Sequence, residues 1–277
     1  MLRLKRRPAW WIAGVAAALA TLYLLAYADR DFLVANRIAS VTTGSFILLF
    51  SCATASLSSA IEAGRERESR GVFENSRRPF TTQVIERTWP GVLSGVLVQV
   101  AGVAILLVLA GSSDRGIPWL LIVGQVLAVV MHGMLGYALG VWLRPVLAIP
   151  LSVVVPYVWI GATWSIDFLG IRYLAGLAFE GCCTPVSVLD TKAVAGFIVF
   201  SAVATVACFL AINSHRYSRQ RDLPRTWVRA SGSALVLIVG LVLGLGLTAG
   251  VGPNPDNPRP TTELVCCLLY TSPSPRD

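Results

Sequence analysis

Apolar residues in this chain gather into long unbroken runs, not into the alternating or one-faced patterns of a water-soluble domain. Seven runs stand out, at 9–28, 38–61, 90–110, 117–141, 146–166, 193–212 and 230–249. Each has about the 20 residues that an α-helix needs to cross the hydrocarbon core of a bilayer. A membrane β-barrel would alternate over segments of about 10 residues, and the chain carries no such series. The pattern predicts an all-α fold, a polytopic transmembrane helix bundle of about seven spans. Pro90 is expected to open the third span as a first-turn residue. Pro150 and Pro156 fall inside the fifth, where they remove backbone donors. Just before the third span, Phe80, Val84, Ile85 and Trp89 recur at helical spacing and predict a short amphipathic piece.

Composition agrees with the pattern. Of 277 residues, 55% are hydrophobic and 14% charged, against about 25% charged in a soluble domain. Charge placement then orients the spans. With the N-terminus in the cytoplasm, sixteen basic residues fall on the inner side: Arg3, Lys5, Arg6 and Arg7; Arg65, Arg67, Arg70, Arg77, Arg78 and Arg87; Arg144; and Arg216, Arg219, Arg221, Arg225 and Arg229. Six fall outside: Arg30, Arg37, Arg115, Arg172, Lys192 and Arg259. That asymmetry is what the positive-inside rule requires, and it predicts an N-in, C-out bundle in a bacterial cytoplasmic membrane. Most tryptophans sit near predicted span ends, as an interfacial belt would place them. The net charge of +8 is accounted for by this topology and by attraction to anionic lipid. It does not argue for nucleic acid.

The two ends need separate treatment. A basic start before a hydrophobic run is also how a signal peptide begins, but the first run is long and lacks a small-x-small cleavage site before Asp29, so an uncleaved span is expected. Residues 250–266 read as the start of a truncated extracytoplasmic tail. Residues 267–277, CLLYTSPSPRD, read as a translated sequencing adapter, because suitable codons reproduce the transposon-end oligonucleotide of tagmentation libraries. They are set aside from fold reasoning, and the natural chain is expected to continue beyond Val265 or Cys266.

Few residues carry chemistry. The chain holds no G-x-x-x-x-G-K-[ST] phosphate loop, and Lys5 and Lys192 are its only lysines; it is not expected to be an enzyme, and no cofactor or metal is implied. His132 lies deep in the fourth span, where an ionisable group is a functional candidate by default. Gln125 lies seven residues earlier on about the same helix face. These two are candidates for a polar path, against the plainer reading of a neutral histidine bonded to a neighbouring helix. Cys182, Cys183 and Cys266 fall on the outer side, where an oxidising compartment favours a disulfide from the outer loop to the tail or its continuation. Small residues four apart, at Gly91/Gly95, Gly136/Gly140, Gly240/Gly244 and Gly246/Gly250, predict close helix packing.

The densest charge lies at 60–80, AIEAGRERESRGVFENSRRPF, between the second and third spans. Here Glu62, Arg65, Glu66, Arg67, Arg70, Arg77 and Arg78 form either a solvated inner loop or a docking element. Glu66 to Arg70 and Glu74 to Arg78 have the i,i+4 order that supports short helices. On AGRERESRG (63–71) and SRRPF (76–80), the chain resembles the permease subunit of type-2 ATP-binding-cassette exporters. The segment 167–192 is similar to that family's extracellular re-entrant region. Residues 135–145 and the PYVW at 156–159 resemble a seven-span variant found in GC-rich bacteria. The resemblance implies a permease-like subunit exporting an amphipathic or hydrophobic substrate. It further implies a separate ATPase subunit docked on 62–78 and a homo- or heterodimer of permease subunits in the lipid bilayer. The alternative is a non-transport scaffold or sensor presenting an extracytoplasmic C-terminal domain.

Overall fold

Hydrocarbon offers no water to backbone N–H and C=O groups, so each apolar run must close its own hydrogen bonds. All seven do so as helices. In the computed structural model, which describes residues 8–27, 33–68, 79–113, 116–166, 169–180, 182–183, 187–221, 226–252 and 254–258, seven helices are long and apolar enough to cross a membrane. They are Pro8–Ala26, Arg37–Glu66, Thr81–Ala110, Trp119–Trp142, Pro145–Ala162, Thr191–Ser214 and Ser231–Thr248. The shortest has 18 residues and rises ~27 Å at 1.5 Å per residue, close to the bilayer core. Large apolar side chains crowd the perimeter: Trp11, Leu22, Val108, Val146 and Leu235 are all exposed. Such a surface suits lipid and not water. The chain is a multi-pass membrane protein.

In chain order the helices are α1 (Pro8–Tyr27), α2 (Arg37–Thr43), α3 (Leu48–Glu68), α4 (Phe80–Ala110), α5 (Trp119–Trp142), α6 (Pro145–Tyr157), α7 (Leu169–Ala175), α8 (Thr191–Arg221) and α9 (Thr226–Thr248). A 3-10 turn, Gly44–Ile47, joins α2 to α3, so these three pieces form the second span. That span is the hub: α3 packs on α1, α4, α5 and α6. Within the window that crosses the membrane, 72% of it is buried, against 22% for the first, fifth and seventh spans. The sixth and seventh spans, α8 and α9, pack as a pair beside α5.

Small residues explain why the hub sits so tightly. A Cβ at Gly136 of α5 would lie 2.0 Å from the Ser56 carbonyl oxygen, and one at Gly140 2.6 Å from that of Ala60. Gly91 and Gly95 of α4 meet Ser59 and Ser51 in the same way, and Gly240 and Gly244 of α9 seat Val203 and Leu174. Three of the four expected glycine pairs are therefore packing seams. The fourth, Gly246/Gly250, has nothing within 4 Å of either added Cβ.

Two local expectations are corrected. Pro90 does not open the third span; α4 runs from Phe80 straight through it. Pro79 instead precedes the first turn, in the extended conformation (ψ 141°) that suits a residue ahead of a helix. The amphipathic piece is thus the N-terminal end of α4, and it does not present one apolar face: Val84 is buried, whereas Ile85 and Trp89 are exposed. In the fifth span α6 continues through Pro150 and gives way to a π turn, Val158–Ala162, just after Pro156, where the missing N–H disturbs the ladder.

A two-stranded sheet at the opposite end of the bundle from Glu66 holds the only strands among the described residues. β1 (Ser187–Leu189), before the sixth span, pairs antiparallel with β2 (Asp256–Pro258), after the seventh. Asp190 fastens the junction. Its Oδ1 accepts from the N–H groups of Lys192 and Ala193 at the start of α8 (2.7 and 3.4 Å), and its Oδ2 accepts from Asn257 Nδ2 at 3.0 Å. Tyr173 donates to the Gly252 carbonyl. Beneath this cap Phe179 packs between Tyr173 and Phe197.

Candidate functional site

The C-terminal end of the hub helix is the first candidate. α3 ends in the charged stretch, and there Glu62 pairs with Arg65 at 3.5 Å. Glu66 faces inward. Its carboxylate accepts a hydrogen bond from the Tyr137 hydroxyl of α5 and forms an ion pair with Arg87 of α4. Glu66 and Arg87 side chains retain only 14% and 18% of their exposure, so one carboxylate ties together the end of the second span, the start of the third and the end of the fourth. Arg65 keeps 51% of its side-chain exposure. The side chain of Arg67, and residues Arg70, Arg77 and Arg78, lie outside the described residues. Sequence reasoning counted Arg87 only as an inner charge and passed over Tyr137. A Glu at the end of a span, facing an Arg at the start of the next, was the available signal.

The second candidate is the buried polar group within the bundle. Gln125 and His132 are both almost fully buried, but the structure gives them separate partners. The His132 ring donates from Nδ1 to the Ala128 carbonyl on its own helix, at 2.8 Å, and not to a neighbouring helix. Gln125 belongs to a clamp on the second span. The 3-10 turn at Gly44–Ile47 interrupts the α-helical ladder and leaves carbonyls near it to be satisfied from outside. Gln125 Nε2 donates to the Val41 carbonyl (3.0 Å) and to Ser45 Oγ (3.1 Å). Gln99 of α4 donates to the Gly44 carbonyl (3.0 Å) and to Gln125 Oε1 (3.1 Å), and accepts from Ser51 Oγ at 2.9 Å. At about 0.6 kcal/mol for a hydrogen bond within a membrane, the five together contribute ~3 kcal/mol. Gln99, a lone amide in an otherwise apolar span, carried the same signal as Gln125 and was missed.

In the segment before the sixth span, Cys182 and Cys183 are bonded to each other. This corrects the expected disulfide from loop to tail, since neither sulfur is left to reach it; Cys266 lies outside the described residues. The positive φ of Cys183, 80°, turns the chain back on itself here and brings the adjacent sulfurs together. The loop meets the tail through β1 and β2 instead. It meets the second span through its carbonyls: Asn36 Nδ2 donates to Cys183 O at 3.0 Å, and Thr42 Oγ1 to Cys182 O at 3.2 Å. Nearby, burial raises the pKa of the Glu180 carboxyl. Burial likewise raises that of the Tyr173 phenol, with Arg172 opposing and Asp190 and Asp256 reinforcing the shift.

The described residues include no cluster of three His, Cys, Asp or Glu placed to hold a metal ion. Comparison with protein-family models, with curated proteins and with solved structures finds no match to this chain.

Proposed function

We propose that this chain is a permease-like subunit of an ATP-binding-cassette export system in a bacterial cytoplasmic membrane, with its N-terminus inside and its C-terminus outside. A separate ATPase would dock on the charged stretch that begins at Glu62, and two permease subunits, identical or related, would enclose the path of an amphipathic or hydrophobic substrate. The observation that carries this reading is the Glu66 junction. A load applied to the segment after α3 passes through that carboxylate to Arg87 and Tyr137, and so to three spans at once. The seams at Gly136 and Gly140 make α3 and α5 move together. An ion pair of two free surface side chains would transmit little; a half-buried one with a third partner is a stiffer link.

Charge reversal tests the docking claim. With Arg65, Arg67 and Arg70 each replaced by Glu, the protein is expected to insert and accumulate normally in the membrane. The nucleotide-binding ATPase that copurifies with the natural protein is expected to fall to background. Undiminished ATPase in that preparation contradicts the reading.

A second reading has one observation in its favour. The pairing of β2 with β1 gives the chain after the seventh span a fixed footing on the outer cap. A scaffold or sensor displaying a C-terminal domain would need such a footing. In that case the triple reversal would leave every partner in place.

A further inference from the structure

The second span is the hub of the bundle, yet it is not α-helical throughout. The 3-10 turn at Gly44–Ile47 breaks it, and three features of the surroundings suit movement there. First, the turn is held by side chains from other spans. The carbonyls of Val41 and Gly44 are bound by the amides of Gln125 and Gln99, and an amide can exchange one carbonyl for another, or for a serine hydroxyl such as Ser45 or Ser51, more readily than a helical ladder can. Second, the close contacts with α4 set a glycine against the end of an aliphatic side chain, which can shift rotamer, and not against backbone. Gly44 and Val103 touch closely, and so do Ile47 and Gly102: an added Cβ would stand 2.7 Å from Val103 Cγ2 at the first and 2.4 Å from Ile47 Cδ1 at the second. Third, the clamp borders free space. A cavity of about 130 Å³, open at the surface beside the exposed Trp119, lies between α4 and α5, lined by Gln99, Val103, Leu107, Trp119, Ile122 and Gln125. The amides that hold the turn therefore have room to swing away from it.

We propose that Gly44–Ile47 is a hinge in the second span, latched by the Gln99–Gln125 pair, and that the cavity beside them receives the amides when the latch opens. The outer end of the span is anchored above the hinge. Asn36 and Thr42 hold the carbonyls of Cys183 and Cys182, and Ala35 N–H donates to the Ala110 carbonyl. The inner end is anchored below it at Glu66. Bending at residues 44–47 therefore lets α3 and the charged stretch tilt while the outer cap stays in place. The hinge extends the coupling reading, but it is a property of this chain alone and is tested without an ATPase, so either can fail without the other.

The test is hydrogen exchange, followed by mass spectrometry, on the full chain in lipid nanodiscs. In the natural protein the amides of residues 41–48 are expected to exchange ~tenfold faster than those of 49–58, although both stretches are buried. Equal protection across 41–58 overturns the hinge. In the Gln99→Leu/Gln125→Leu double variant, exchange at 41–48 is expected to rise by a further ~tenfold or more, with the protection of α5 and α8 unchanged. No change at 41–48 overturns the latch. Loss of protection throughout the bundle also overturns it, because the amides would then be holding the fold together and not governing a joint.

Discussion

Replacing Gly136 by leucine is expected to abolish the folded protein. The first atom of the new side chain would fall 2.0 Å from the Ser56 carbonyl oxygen and 2.5 Å from its Cα and carbonyl carbon. These are backbone atoms of the central span, which no rotamer change can move. Overpacking a well-filled core costs about 1–3 kcal/mol where side chains can give way. Here α3 itself must retreat from α5, and total stabilities are only about 5–15 kcal/mol. Even Gly136→Ala is expected to lower stability by ~3 kcal/mol. Gly14→Ala and Gly246→Ala, where nothing lies within 4 Å of the added carbon, are expected to be neutral or to stabilise by up to ~1 kcal/mol through helix propensity. Size-exclusion profiles and thermal unfolding in detergent separate the two groups. A monodisperse, normally stable Gly136→Leu protein would mean that α3 and α5 do not meet along this seam.

The Glu66 junction carries the second large effect. Glu66→Ala leaves the guanidinium of Arg87 and the hydroxyl of Tyr137 facing a half-buried gap. Removing one partner of a buried ion pair costs about 3–5 kcal/mol, and the residual exposure of both side chains places this one at the lower end. Glu66→Gln keeps an acceptor but loses the charge and is expected to cost less. Tyr137→Phe removes one hydrogen bond, about 1 kcal/mol. The expected order in apparent melting temperature is therefore natural protein, Tyr137→Phe, Glu66→Gln, Glu66→Ala. Exchanging the charges, Glu66→Arg with Arg87→Glu, is expected to recover part of the loss. If the exchanged protein is no more stable than Glu66→Ala, the pair is not what joins these helix ends.

The spans were legible in the sequence because the bilayer imposes a simple demand. A helix with no water around it needs about 20 apolar residues, and 38–61 or 193–212 can be read by eye. Which span stands at the centre was not legible in the same way. The second has the lowest mean hydropathy of the seven, 1.6, and the greatest burial. In lipid, apolar residues gain nothing by facing each other, so the interior goes to small and polar residues that allow close approach. Ser51, Ser56 and Ser59 are fully buried for that reason, while Val108 and Val146 face outward. Pro90 misled because a proline inside a membrane helix is tolerated once neighbouring helices support the backbone. The third span then gains an N-terminal extension that brings Arg87 to Glu66.

The functional residues divide along the same line. Glu62, Arg65 and Glu66 were visible as charge in an apolar chain, and Gln125 and His132 as polar groups within a span. Their partners were not, because a partner is a fact about two helices. Gln99 and Gln125 lie 26 residues apart, Glu66 and Tyr137 71, and no periodicity within one span relates them. The disulfide is the opposite case. The adjacent sulfurs were in plain view, but the turn that closes them on each other depends on a single positive φ at Cys183, which the residue type does not announce.

The central claim is that the charged stretch beginning at Glu62, at the end of α3, is a cytoplasmic docking element. The most direct measurement places a photo-reactive amino acid at position 65, whose native arginine side chain is half exposed, and irradiates membranes of the producing cell. The account predicts one dominant adduct, joining this chain to an ATPase that carries a phosphate-binding loop. Adducts to lipid alone, or to a protein of the outer face, would contradict it.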